Sequence, residues 1–250
     1  MIEPLSGVYV VRAPAGGGRK FSRCRLDISV GQPYHEGEKF KAAVDWVNRY
    51  AEDPFVRCDV VVVDTLQRHT MAGLGADPAA ASVEARLAGD EWILRHRDDL
   101  ATLTMPWRIV RWDELLGHPR LPAMRARLGR LTEAEPNFRA AISTAGTAFV
   151  ARIHARGIPV PDDERLLRCS CDYLLEEMAV IAVLQEERPA VDCYPGSWRP
   201  FEAIRTGVPG LPEGLRTLEW VQLRLKRRPA TRTDQPVRRA SPTQSAPRGG

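Results

Sequence analysis

A chain of 250 residues, 44% hydrophobic and 27% charged, can bury one sizeable core and is too balanced in composition for a disordered or fibrous protein, so a single compact α/β domain is expected. The net charge of +4 and pI near 8.9 are mildly basic. The excess sits late in the chain, where Lys226, Arg227, Arg228, Arg232, Arg238 and Arg239 face only Asp234, so bulk charge gives weak support for a nucleic-acid partner.

After a loop containing Gly16, Gly17 and Gly18, RCRLDISV (23–30) predicts a strand ending at Gly31, and a helix over 38–50 follows a polar turn. CDVVVVD (58–64) is a near-continuous valine run, the pattern of a parallel strand covered on both faces. Strand, helix, strand implies a βαβ unit. A long helix is expected over 80–100 after the breaker Asp77-Pro78, with WRIVR (107–111) as a third strand. Helices over 119–130, 135–156 and 162–185 precede a strand at PAVDCY (189–194), stopped by Pro195-Gly196. Residues 212–226 read as helical. The Pro, Ser, Thr and Arg composition after Pro229 predicts a disordered tail over 229–250, leaving 1–228 as the folded domain. The five cysteines, Cys24, Cys58, Cys169, Cys171 and Cys193, form no CxxC pair and have no histidines nearby at metal-ligand spacing. Free thiols in a reducing cytosol are expected, with no metal site and no disulfide framework. No basic-then-apolar leader opens the chain, and no run approaches the roughly 18 apolar residues a membrane span needs, so a soluble cytoplasmic protein is expected.

Parallel α/β sheets gather their chemistry beyond the carboxyl ends of the strands. Ser29 lies at one such end and Tyr194 at another. A strand-end serine followed by Gly31 and Pro33 can present its hydroxyl at a sharp turn, with backbone N–H groups available to an oxyanion, or it can simply cap the next helix. GxSxG is absent, since the turn reads SVGQP, and no histidine is an obvious base: His35 lies in the same turn and His69 follows the second strand. The strand period of two places Arg25, Asp27 and Ser29 on one face. If Ser29 faces a pocket, Arg25 and Asp27 line its floor or form a structural ion pair, and Val61, Val63, Val180 and Ile181 are candidate apolar walls. Tyr173 and Glu177, four apart on a predicted helix, share a face. The flank MAVIAVL favours burial of Glu177, which would raise its pKa; a solvated glutamate beside Glu176 is the alternative.

The segments LDISVGQPYHEGEKF and VVVVDTLQRHT, with YLLEE and DCYPG, resemble in letters, order and spacing the cyclodipeptide synthases, in particular the subgroup called XYP. The likeness spans most of residues 20–225. It implies a Rossmann-like domain similar to the catalytic domain of class I tyrosyl- and tryptophanyl-tRNA synthetases. The implied enzyme is an aminoacyltransferase that joins amino acids from two aminoacyl-tRNAs into a 2,5-diketopiperazine by a ping-pong cycle, through aminoacyl- and dipeptidyl-enzyme. Neither HIGH nor KMSKS is present, and the early GGG lacks a following GK[ST], consistent with a substrate that arrives already activated and needs no cofactor.

By the same resemblance Ser29 is the nucleophile and Tyr173 and Glu177 hold the substrate α-amino group, with Glu177 moving protons. Tyr194 and Pro195 supply the YP, Tyr194 relaying a proton in ring closure. Gly31 and Gln32 line the turn, Gln32 standing where the other large subgroup has Asn. On the strand-face reading rather than the resemblance, Arg25 and Asp27, if they line the floor of a pocket at Ser29, would help choose the first amino acid. The basic helix that holds tRNA in the family matches 80–100, with Arg86, Arg95 and Arg97, although Glu84, Asp90, Glu91, Asp98 and Asp99 dilute it. A monomer is expected. Rival readings are another aminoacyl-tRNA-dependent transferase and a non-catalytic tRNA-binding module.

Overall fold

Apolar Cys24, Leu26 and Ile28 alternate with polar Arg25, Asp27 and Ser29, so a strand here must serve two different environments. The computed structural model describes residues 9–12, 21–49, 55–195 and 208–227. In chain order its elements are β1 (Tyr9–Arg12), β2 (Arg23–Ser29), α1 (Gly37–Asn48), β3 (Arg57–Val63), α2 (Arg68–Gly73), α3 (Pro78–Arg95), α4 (Arg97–Leu100) and β4 (Trp107–Arg111). There follow α5 (Trp112–Leu116), α6 (Leu121–Ala134), α7 (Pro136–Ala155), α8 (Asp163–Glu187), β5 (Val191–Tyr194), α9 (Glu213–Arg216), β6 (Glu219–Gln222) and β7 (Arg224–Arg227).

Five strands form one parallel sheet in the order β4-β3-β2-β5-β6, while β1 and β7 pair antiparallel. This is a single α/β domain in which the chain winds outward from β2 to one side and then from β5 to the other, so the strand order reverses between β2 and β5. Such a reversal leaves a crevice at the carboxyl ends of the two strands, where no crossover connection closes it.

One face of the sheet packs Cys24, Leu26, Ile28, Val60 and Val62 against Phe40 and Val44 of α1 and Trp92 of α3. The other packs Val61, Val63 and Val110 against α6, α7 and the central stretch of α8, including Met178, Val180 and Ile181. β3 is therefore covered on both sides, which explains its unbroken valines.

Two expected elements differ. The helix expected over 80–100 stops at Arg95, because His96 adopts φ −105° and ψ 11°, and the chain restarts as α4. The helix expected over 212–226 is confined to α9; beyond it LEWVQLRLK alternates with period two and extends into β6 and β7. Strand pairing decides there: β6 lies parallel to β5, with Tyr194 opposite Gln222. The glycine loop at Gly16 to Gly18 and the tail expected over 229–250 lie outside the described residues.

Candidate active site

At the carboxyl end of β2 the chain must turn while holding a serine in place. Gly31 permits this with φ +82°, a left-handed conformation that a Cβ disfavours. Gln32 N–H donates back to the Ser29 carbonyl at 3.2 Å and the chain enters a short 3-10 turn, Pro33–His35. His35 is fully buried, its carbonyl accepting from Trp92 Nε1 at 3.0 Å. Its Nδ1 accepts from the Ser29 backbone N–H at 2.9 Å. Burial lowers the imidazole to about 4, so it is neutral near pH 7. His35 is thus a brace for the Ser29 turn. The Ser29 N–H is engaged with His35, so this N–H is not free for an oxyanion.

Ser29 Oγ and Tyr194 OH lie 3.1 Å apart across the crevice between β2 and β5. Tyr194 OH is also 3.0 Å from Tyr34 OH, and the rings of Tyr34, His35 and Tyr194 meet edge to face. Burial raises Tyr194 well above its ordinary 10, so it remains a neutral hydroxyl, able to accept and donate at once. The sequence pattern does not single out Tyr34; it lies next to His35 in the same turn and carries no spacing signal.

The helix α8 covers this end of the sheet. Tyr173 OH accepts from Gln67 Nε2 at 3.4 Å, and burial raises the Tyr173 phenol well above its ordinary value. One turn on, burial raises Glu177 to about 7. Asp27, Tyr173, Glu177 and Tyr194 each remain partly accessible, although protein surrounds each closely enough for desolvation to dominate its titration. They act on one another electrostatically, Glu177 on Asp27 and Tyr173, and Tyr173 on Tyr194, so they cluster around the crevice, or recess, at the carboxyl ends of β2 and β5. Val61, Val63, Val180 and Ile181 are buried in the cluster that Tyr173 and Tyr194 pack against, and Pro195, next to Tyr194 in the chain, is half-buried.

Adjacent Glu176 has a different fate. It is buried and accepts from Trp112 Nε1 at 3.0 Å and from Arg68 Nη1 at 2.9 Å, with His69 and Arg125 nearby. Burial opposes its ionisation, but hydrogen bonds from His69, Arg68 and Trp112 hold it down at about 2. His69 is therefore bound into this structural cluster with Glu176.

Arg25 is committed below the recess. It pairs with Asp192, directly opposite on β5, and also donates to Gln185 and, at 3.3 Å, to the Arg188 carbonyl. The ion pair expected between Arg25 and Asp27 does not form: Arg25 pairs with Asp192, its neighbour across the β2–β5 ladder. Asp27 keeps its Oδ2 buried without a hydrogen-bond partner.

The three arginines of the expected tRNA helix are exposed, and each has an internal carboxylate. Arg86 pairs with Asp113, Arg95 with Glu36 at 2.9 Å, and Arg97 with Asp98 at 3.7 Å. Among the described residues no helix is long and apolar enough to cross a membrane, and no cluster of three or more His, Cys, Asp or Glu could hold a metal.

No protein-family model and no curated protein matches the chain. Solved structures do match. A CDPS from Fluoribacter dumoffii is 28% identical with TM-score 0.75, over 88% of this chain and all of that one. A cyclodipeptide synthase from Candidatus Glomeribacter gigasporarum bound to Phe-tRNAPhe is 18% identical, with TM-score 0.66 over 88% of this chain and 93% of that one. A Mycobacterium tuberculosis protein is 14% identical with TM-score 0.57, over 82% and 86% of the two chains; its structure is described as demonstrating that cyclodipeptide synthetases are related to type I tRNA synthetases. The structural neighbours of this chain are therefore cyclodipeptide synthases, and its fold is theirs.

Proposed function

We propose that this chain is a tRNA-dependent cyclodipeptide synthase of the XYP subgroup, with Ser29 as its covalent nucleophile. The observation that carries the reading is Ser29 Oγ at 3.1 Å from Tyr194 OH at the reversal of strand order, beside Tyr173 and Glu177 in the same recess. Similarity across the full length of the Fluoribacter dumoffii CDPS supports it, as do Gln32 and the Tyr194-Pro195 pair.

Ser29 Oγ attacks the ester carbonyl of the first aminoacyl-tRNA. The C–O bond to the ribose breaks, and the serine proton reaches the leaving oxygen with help from the vicinal ribose hydroxyl, so no Ser-His-Asp triad is needed. For the dipeptide to remain on Ser29, the α-amine of the acyl-enzyme must attack the ester of the second aminoacyl-tRNA; the peptide bond forms as the C–O bond to the second ribose breaks, and the proton lost by the amine passes to that ribose oxygen. That amine must first lose a proton. An α-ammonium titrates at about 8 and Glu177 at about 7, so transfer between them is nearly balanced, the condition for efficient general-base catalysis. The new terminal amine then attacks the Ser29 ester, closing the six-membered ring and returning a proton to Ser29 through the neutral Tyr194 hydroxyl. Holding amine and ester in one recess supplies much of the acceleration.

In this reading two aminoacyl-tRNAs are the partners and no cofactor or metal is required. Gly31 and Gln32 shape the turn at the substrate ester, and Val61, Val63, Val180, Ile181 and Pro195 wall the recess. Arg86, Arg95 and Arg97 hold tRNA phosphates, and the protein acts as a cytoplasmic monomer whose catalytic unit is 1–228, with 229–250 dispensable. The test is mass spectrometry of the medium from a bacterial host expressing the protein or its Ser29→Ala variant. Cyclic dipeptides found only with the serine intact are expected. Serine-dependent deacylation of charged tRNA without any diketopiperazine would instead make it a transferase to another amine.

A further inference from the structure

Asp27 occupies the position one strand repeat below Ser29 on the same face of β2, about 6–7 Å deeper. Its Oδ2 is sealed from solvent and has no hydrogen-bond partner, while the residue as a whole still borders the recess. A carboxyl oxygen in that state is costly unless something pairs with it. The surrounding charges give it no hydrogen bond, although the Arg25 guanidinium favours its charge. Arg25 is tied to Asp192, Gln185 and the Arg188 carbonyl, and Glu177 and Asp192 both act on Asp27 as like charges. Asp27 and Asp192 thus share the guanidinium of Arg25, whose hydrogen bond goes to Asp192, while Glu177 adds a further like charge beside Asp27. The walls at Val61 and Val63, beside Asp27 on β3, are hydrocarbon and donate nothing. The recess below Ser29 therefore leaves the Asp27 carboxyl without a hydrogen-bond partner at Oδ2, at a depth a long substrate side chain would reach.

Resting on the acyl-transfer reading above, we propose that Asp27 selects the first amino acid, and that the aminoacyl group accepted at Ser29 carries a side chain ending in an N–H donor that bonds to the Asp27 carboxyl. The qualifying tips are ammonium, guanidinium, imidazole, indole and carboxamide. A hydrocarbon side chain of similar length fills the same space, but it excludes water from Asp27 without replacing its hydrogen bond. A site built to bond a substrate N–H rejects analogues lacking it far more strongly than it distinguishes one methylene from another.

The experiment follows acyl-enzyme formation by intact-protein mass spectrometry. The full chain is mixed with tRNAs charged separately with lysine, arginine, histidine, tryptophan, asparagine, glutamine, leucine, methionine or phenylalanine. At least one N–H-bearing amino acid should load about tenfold or more faster than all three hydrocarbon or thioether ones. Asp27→Leu should abolish or reverse that preference while still loading leucine. Asp27→Asn keeps the shape and the acceptor oxygen and serves if the leucine variant fails to fold; it should retain tryptophan and lose preference for the cationic groups if the favoured tip is charged, and retain the preference if it is neutral. Equal or faster loading of leucine, methionine or phenylalanine by the unmodified protein would overturn the assignment, as would a preference unchanged in Asp27→Leu. Absence of loading from every charged tRNA would bring down the acyl-transfer reading itself, and this assignment with it.

Discussion

Between pH 4.5 and 7 Glu177 behaves differently in the folded and the unfolded chain. Burial raises its folded value to about 7 from an ordinary 4.5, so over that interval the unfolded chain releases a proton that the folded one keeps. Stability contributed by this group is complete below 4.5, falls as pH rises, and is lost above 7, a difference on the order of 3 kcal/mol. Glu177→Gln should remove this slope, so its denaturation midpoint at pH 8 should exceed that of the unmodified protein. The same change should suppress dipeptide formation by about 100-fold while acylation of Ser29 persists, as loss of a general base requires. A variant neither more stable at pH 8 nor impaired in dipeptide formation would show Glu177 to be an ordinary helix carboxylate. Ser29, Tyr173, Glu177 and Tyr194 could be picked out because family-like motifs mark them. His35, Tyr34, Gln67 and Asp192 could not be assigned roles, since each acts through a neighbour that only the fold supplies: Asp192 meets Arg25 across 167 residues of chain.

At the scale of elements, α3 is fixed to the sheet through Gly89. A Cβ at that position would press on the Asp64 carboxylate and come within 2.8 Å of Arg111 Nη2, the pair that ties β4 to the end of β3 and, through Asp90 and the Arg86 carbonyl, to α3 itself. Gly89→Ala should therefore lower stability by about 1–3 kcal/mol. Gly129, within α6, has nothing within 4 Å of a built Cβ, and Gly129→Ala should gain about 0.5–1 kcal/mol in the same denaturation series. Opposite signs at two helical glycines would show that close approach, not helix propensity, sets the requirement at residue 89. The central strands were legible because CDVVVVD and WRIVR leave a buried parallel strand as the natural choice. Residues 219–227 were not: Leu, Glu, Lys and Arg favour a helix in isolation, and only pairing with β5 and β1 makes the period of two decisive.

Taken whole, the molecule is weakly basic, and its proposed tRNA-holding helix is mixed in charge. Exposed ion pairs such as Arg95 with Glu36 are worth at most about 1 kcal/mol, so phosphate can compete for these arginines. Replacing Arg86, Arg95 and Arg97 together by glutamine should raise KM for charged tRNA with kcat nearly unchanged. The dependence of log affinity on log salt should become shallower by about 0.7–0.9 for each phosphate that is no longer neutralised. An unchanged salt dependence would place the tRNA on another surface.

The central claim is that Ser29 carries the amino acid. The most direct measurement mixes the purified protein with aminoacyl-tRNAs, quenches in acid, and maps the added mass by peptide mass spectrometry. The expected result is one aminoacyl increment on the peptide containing Ser29, absent from Ser29→Ala, with diketopiperazine appearing as the reaction proceeds. Diketopiperazine formed undiminished by Ser29→Ala, or an acyl group mapped to another residue, would contradict it.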